Sequence, residues 1–244
     1  MKRFFLLLAV ILSVQTFART RDFSFSSNLF VRSKYVGPSG LVFYPDPVTQ
    51  GSFTIIHKSG FFFDLWGSTG FNLDWSKDWD DEIDYTLGYN GELEYLNLSI
   101  SVSYFDDFPV GRFAYNDVIM TNLRIDDRKK INCFFYLTPF FKYNNYIIPD
   151  KKTPFRGGNL FSVGVDSDYI LLHRVKLNSS LQTLFDDGAF GSKAGLLVKG
   201  SSSLELLLSK KASWNMISIE AYVPIGNRGF DHQFVFSSGL SFNF

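Results

Sequence analysis

The sequence predicts an all-β chain folded as an antiparallel meander β-barrel that crosses a membrane with its strands. Three observations predict it. Apolar residues recur at every second position, the signature of a strand with one greasy and one wet face, and no stretch shows helical spacing. The repeating segments run to about 9–13 residues, and a tilted strand crosses a bilayer in about 9–11. Aromatic residues, 18% of the 244 positions with Phe alone at 28, gather near the ends of those segments, as interfacial girdles do.

Met1 to Ala18 reads as an export signal. Lys2 and Arg3 form a positive head, residues 4–14 an apolar run, and Thr16-Phe17-Ala18 a small-x-small cleavage site. The run is well short of the ~20 apolar residues of a spanning helix. Residues 1–18 are therefore assigned as a signal peptide and 19–244 as the barrel domain. Cys133 is the single cysteine, so an intramolecular disulfide is excluded.

The mature part opens on Phe23, Phe25, Leu29, Val31 and Tyr35, interleaved with Asn28, Arg32 and Lys34. The alternation returns in Ile83, Tyr85, Leu87 and Tyr89, and again in Leu96, Leu98, Ile100, Val102 and Tyr104 against Asn97 and three serines. Val175, Leu177, Leu181 and Phe185 continue it, followed by Ile217, Ile219, Ala221 and Val223. Lys58-Ser59-Gly60, Asn90-Gly91-Glu92 and Asp126-Asp127-Arg128-Lys129 read as tight hairpin turns. Longer connections fall at 36–47, 69–80, 106–111 and 143–158. Short turns alternating with long loops are what a meander gives when its two rims differ. Breakers delimit thirteen candidate segments, whereas a single-chain bacterial barrel carries an even number. The weakest pair is 192–199 and 203–210, divided by Gly200-Ser201-Ser202. Twelve strands are expected, with ten and fourteen the neighbouring even counts.

The same period would suit a soluble β-sandwich with a greasy interior. Strand length, the small neutral residues on the wet faces, and aromatics at strand ends (Tyr35, Trp66, Trp75, Trp79, Tyr89, Tyr104, Phe105) favour the membrane reading. The C-terminus adds to it. Ser237, Gly239, Phe242 and Phe244 form a polar-x-Gly-x-x-aromatic-x-Phe pattern that resembles the terminal insertion signal of Gram-negative outer-membrane barrels, which implies recognition by the barrel-assembly machinery.

The N-terminal half shows a closer resemblance. Ser27-Asn28-Leu29 through Tyr35, then 47–53 (Pro-Val-Thr-Gln-Gly-Ser-Phe), 59–68 (Ser-Gly-Phe-Phe-Phe-Asp-Leu-Trp-Gly-Ser), 81–85 and 88–93 are similar to the TorF-type porin family. The likeness fades beyond Gly111, and Val36-Gly37 stands where the family often has Arg-Gly. It implies an outer-membrane barrel of porin type and carries over no functional residue.

Charge and chemistry narrow the function classes. Lys+Arg and Asp+Glu number 24 each, so the basic excess that nucleic acid demands is missing. His57, His173 and His232 belong to no hydrolase or acyltransferase pattern, and the chain is read as non-enzymatic. Asp78, Asp80, Asp81 and Glu82 lack calcium-loop spacing, so neither metal nor cofactor is assigned. If the greasy rows face lipid, then Arg32, Lys34, Asp64, Glu82, Asp84, Arg174, Lys176 and Glu220 face inward. Four positive and four negative charges predict a weakly selective lumen passing small polar solutes. The same set would equally serve as a lattice of ion pairs plugging a closed barrel whose loops bind a partner. Expected surroundings are outer-membrane lipid and lipopolysaccharide.

Overall fold

In the computed structural model, residues 22–71, 82–107, 117–149, 156–226 and 228–244 are described. The signal segment, and Trp75, Trp79, Asp78, Asp80 and Asp81, lie outside them.

Twelve long strands form one antiparallel sheet closed on itself. They are β1 (Phe23–Arg32), β4 (Val48–His57), β5 (Phe61–Gly70), β6 (Glu82–Leu93), β7 (Leu96–Asp107), β8 (Val118–Asp126), β10 (Phe135–Ile147), β11 (Gly158–Leu172), β12 (Val175–Asp186), β13 (Gly195–Leu207), β14 (Ala212–Ile225) and β15 (Gln233–Asn243). Each pairs with its sequence neighbour, and β1 pairs with β15 to close the ring. Closure removes the sheet edges, the only way a β-sheet can satisfy its backbone within hydrocarbon. Two short strands stand apart from the wall, β2 (Tyr35–Val36) and β3 (Val42–Tyr44), which make a hairpin of their own; a third, β9 (Lys129–Lys130), joins the main sheet by pairing with β10 beside a turn.

The thirteen candidate segments become twelve because the doubtful pair is one strand: β13 runs unbroken through Gly200-Ser201-Ser202. The tight turn expected at Asn90-Gly91 is also displaced. Both residues lie inside β6, and the chain reverses at Glu94-Tyr95, with Glu94 at φ 52. Gly91 has a packing role instead, since a Cβ there would sit 2.6 Å from the Tyr89 ring.

The start of β1, the end of β15 and the connections 58–60, 94–95, 127–134, 173–174 and 208–211 share one rim; the opposite ends of the strands mark the other. Register fixes the two faces. Outward rows carry Leu87, Ile100, Val163, Leu181 and Phe234, all solvent-accessible in the isolated chain, with Leu87 at 66%. An apolar belt of that extent is tenable only against lipid. Each inward row can be followed around the barrel: Arg32, Ser237, Ser218, Ser203, Asn178, Asp168 and Tyr136 are successive register partners, one strand to the next.

Candidate lumen site beneath an aromatic septum

Three inward rings lie against the wall rather than across the lumen. Phe30 is the register partner of Gly239, Phe62 of Gly88 and Phe140 of Gly164. A Cβ on those glycines would fall 2.3, 2.4 and 2.7 Å from the facing ring. Each ring therefore occupies the space its partner lacks.

The loop-side rim is built differently. The chain leaving β1 does not stay in the wall: Tyr35, Val36 and Tyr44 are buried, and Gly40, at φ 87, turns the hairpin tip against Leu197 of β13 and Phe230. Rings then follow one another across the mouth: Trp66–Tyr35 at 5.8 Å between centroids, Tyr35–Phe43 at 5.3 Å, Phe43–Phe190 at 5.6 Å, Phe190–Tyr146 at 4.8 Å and Tyr146–Phe105 at 6.5 Å. Such offset and edge contacts each contribute about 0.5–1.5 kcal/mol beyond area burial. Val118, Leu160, Leu184, Leu197 and Val235 pack around them as a buried apolar cluster. Together these residues form a septum at the mouth.

Phe190 is held in place by a clamp. Asp186 accepts the backbone N–H of Gly188 and Ala189 at 2.9 and 2.8 Å, accepts the Ser192 hydroxyl at 2.7 Å, and pairs with Arg228. Both partners of that ion pair are almost fully buried, and Arg228 also donates to the Lys193 carbonyl at 3.1 Å. The loop 187–194 and the segment 228–232 are thereby tied together.

Below the septum lies a cavity of ≈ 280 Å³, and beyond it a second of ≈ 290 Å³; Arg32 and Trp66 line both. Arg32 bonds Glu220 at 2.5 Å and Gln50 at 3.1 Å, and Glu220 also pairs with Lys199 at 3.0 Å. Lys199 lies 4.7 Å from the centroid of the Tyr222 ring. Glu82 and Asp84 line the first cavity from β6, and Glu82 accepts a hydrogen bond from the Tyr35 hydroxyl at the base of the hairpin. Lys142 enters from β10. Farther round, Arg124 bridges Asp126 at 2.8 Å and Asp166 at 2.7 Å.

Most of the expected inward charges take lumen positions. Arg32, Glu82, Asp84 and Glu220 meet around the two cavities. Asp64 accepts from the Thr54 hydroxyl at 2.5 Å, and Lys176 opposes Glu205. Lys34 lies past the end of β1 and reaches Gln233 at 2.9 Å. Arg174 is a correction: it sits exposed in the two-residue turn between β11 and β12, where neither face is defined. Three girdle aromatics are also corrected. Tyr35, Trp66 and Phe105 point inward, because the hairpin needs partners and Trp66 and Phe105 fall on the inward register.

The terminal pattern divides between the faces. Ser237 and Gly239 lie on the inward row opposite Arg32 and Phe30, while Phe242 faces out and stacks on Phe244 at 6.4 Å. His57 comes within 2.7 Å of the Ser59 hydroxyl. The contact caps the 58–60 turn, as the Ser59 N–H also points to the same ring nitrogen. Among the described residues no cluster suited to a metal ion occurs.

The sequence reading missed Lys142, Lys199 and Phe190. Lys199 was hidden by the supposed break at Gly200, which placed it at a segment end. Lys142 shares the parity of Asn144 within 135–147, a signal that β10, once delimited, makes readable. Phe190 lies in a loop, where no period exists to report its direction.

No protein-family model matches the sequence, and no curated protein does either. Solved structures do. The chain superposes on the KdgM porin in complex with disordered oligogalacturonate with a TM-score of 0.55 at 9% identity, covering 91% of this chain and 99% of that one. The NanC porin gives 0.56 at 9% identity, covering 88% and 98%. The chain has the fold of the outer-membrane porins. An outer-membrane channel from Pseudomonas putida F1 matches at 0.53 with 12% identity, covering 91% of this chain and 96% of that one.

Proposed function

We propose that this chain is a Gram-negative outer-membrane porin-like protein through which small polar solutes diffuse passively in a weakly selective lumen, the septum setting how far its mouth stands open. The observation that carries this reading is the inner wall: rings seated in the space left by facing glycines, and two cavities that share Arg32 and Trp66 and are lined by charged as well as apolar side chains, describe a lumen kept open rather than filled. Twelve strands suit it, lying between eight-stranded barrels filled by side chains and the aqueous channels of sixteen-stranded porins. Charge balance supports weak selectivity, since the cations Arg32, Lys142 and Lys199 around the two cavities are matched in number by the acids Glu82, Asp84 and Glu220.

Export through residues 1–18, assembly through the Phe244 terminus, lipopolysaccharide contact and non-enzymatic action belong to the same proposal. So does TorF-type membership. Its support is that the resembling segments fall on β1, β4, β5 and β6, four adjacent strands of one wall.

A second reading rests on the septum itself, whose buried apolar cluster would make a closed, structural barrel presenting its loops to a partner. Planar-bilayer recording of the refolded mature chain decides between them. Discrete ion steps support the channel, and their absence from heat-modifiable, folded protein supports the closed barrel.

A further inference from the structure

The ≈ 290 Å³ cavity lies on five neighbouring strands, β5, β4, β1, β15 and β14, across the seam that closes the barrel. Its polar lining is mostly uncharged: Asn28, Gln50, Ser52, Asn215, Ser218 and Ser237. Two ions join them, Arg32 and Glu220, and they pair with each other at 2.5 Å. Both carboxylate oxygens of Glu220 are in use, one on Arg32 and the other on Lys199 at 3.0 Å and the Tyr222 hydroxyl at 2.8 Å. Both terminal nitrogens of Arg32 are in use as well, on Gln50 and Glu220. What stays unspent is hydrogen-bonding capacity rather than charge. The Arg32 Nε–H, a donor, and the Asn215 Oδ1, an acceptor, are both buried without a hydrogen-bond partner. Asn215 is the register partner of Gly239, and Gly239 of Phe30. It therefore stands one inward row and two strands from Arg32, about 7 Å along the wall and about 10 Å across it. A buried polar atom left unpaired is costly, so both atoms call for a partner within the cavity they line.

We infer that this cavity is a binding site for an uncharged, polyhydroxylated solute of one ring, a neutral monosaccharide. A hydroxyl both donates and accepts, so one solute can answer the Arg32 donor and the Asn215 acceptor together. A carboxylate only accepts and would leave Asn215 unpaired; an ammonium only donates and would leave Arg32 so. Neither would meet an unspent opposite charge, because the ions of this lining already hold each other. Trp66 from β5 and Phe30 from β1 add flat apolar surface beside the amides and hydroxyls. The C–H face of a sugar ring packs on such surface while its hydroxyls radiate to the polar walls. The volume stands near the lower limit of small-ligand sites, about 300 Å³, which restricts the solute to a single ring. The inference names a solute class for the proposed channel and rests on that reading for the solute's route, whereas binding itself does not need ions to flow.

The test is calorimetric titration of the refolded mature chain in detergent with three probes of one ring: D-glucose, D-glucuronate and D-glucosamine. Glucose is expected to bind saturably and at least about tenfold more tightly than either charged analogue, since burying a charge that finds no free counter-charge costs at least that factor. Asn215→Leu removes the acceptor and should weaken glucose by about tenfold, with the compact unboiled gel band as the check on folding. A charged analogue that binds as tightly as glucose would make the cavity an ion site and overturn the inference. So would the absence of saturable heat with glucose, which would leave the two polar atoms to water alone, or wild-type glucose affinity in folded Asn215→Leu. The comparison of probes on the unaltered protein needs no variant to fold. Conductance is read separately: glucose binding without ion steps removes the channel and keeps the site, and ion steps without binding do the opposite.

Discussion

Phe190→Ala tests whether the septum closes the mouth. The ring is 6% exposed and touches Phe43 on one side and Tyr146 on the other, so it links the hairpin to the wall. Truncating a buried Phe costs about 3–5 kcal/mol, of which two ring contacts supply about 1–3. The loss falls on the closed arrangement alone, since an open mouth has no septum to lose. At 1.4 kcal/mol per decade, a loss of about 3 kcal/mol lowers the closed-to-open ratio by about a hundredfold. The backbone of the loop stays anchored, because its clamp through Asp186, Ser192 and Arg228 does not use the ring. Single-channel recording in planar bilayers should show the open fraction rising by about that factor, or to saturation. Heat-modified gel migration should match the wild type. A folded variant with unchanged open time and unchanged conductance would refute the idea that these rings control the mouth.

Further outcomes follow from the same geometry. Arg228→Ala strands a fully buried Asp186, a change that costs about 3–5 kcal/mol; calorimetry in detergent should show Tm falling by about 6–20 °C, at about 2–4 °C per kcal/mol. Gly239→Val places atoms where Phe30 and the Leu29 carbonyl already lie, at the seam that closes the barrel, so the compact unboiled gel band should disappear. Gly200→Ala, whose Cβ would meet only Leu181 at 3.9 Å, should preserve that band. Glu220→Gln removes the carboxylate that offsets Arg32 and Lys199, and reversal potentials under a salt gradient should shift toward anion preference. The mature chain should require detergent to stay in solution, and solubility without it would contradict the apolar belt.

Period-two alternation in segments such as 96–104 and 217–223 was enough to specify strands and to divide each into a greasy and a wet side, while the even count came from the rule that a single-chain barrel carries one. Alternation is a property of a strand's own backbone, because successive side chains point to opposite faces wherever the strand lies. It also directs Arg32, Glu82, Asp84 and Glu220 to the wet side, and these four line the two cavities. It failed where the chain leaves the strand or only brushes it. Arg174 sits in a turn without a face, and Tyr35 follows the hairpin into the mouth. The Asn90-Gly91 pair kept its glycine for the Tyr89 ring rather than for a reversal.

Closure of the ring decided the rest. Which inward residues share a level depends on the register of twelve successive pairings, each shifting the next strand along the barrel. No window of local sequence holds that sum. It placed Lys199 across the lumen from Glu82, set Arg32 against Glu220 from 188 positions away, and brought Phe190 between Phe43 and Tyr146. Local sequence dictates which way a side chain points, and the closed sheet dictates what it meets there.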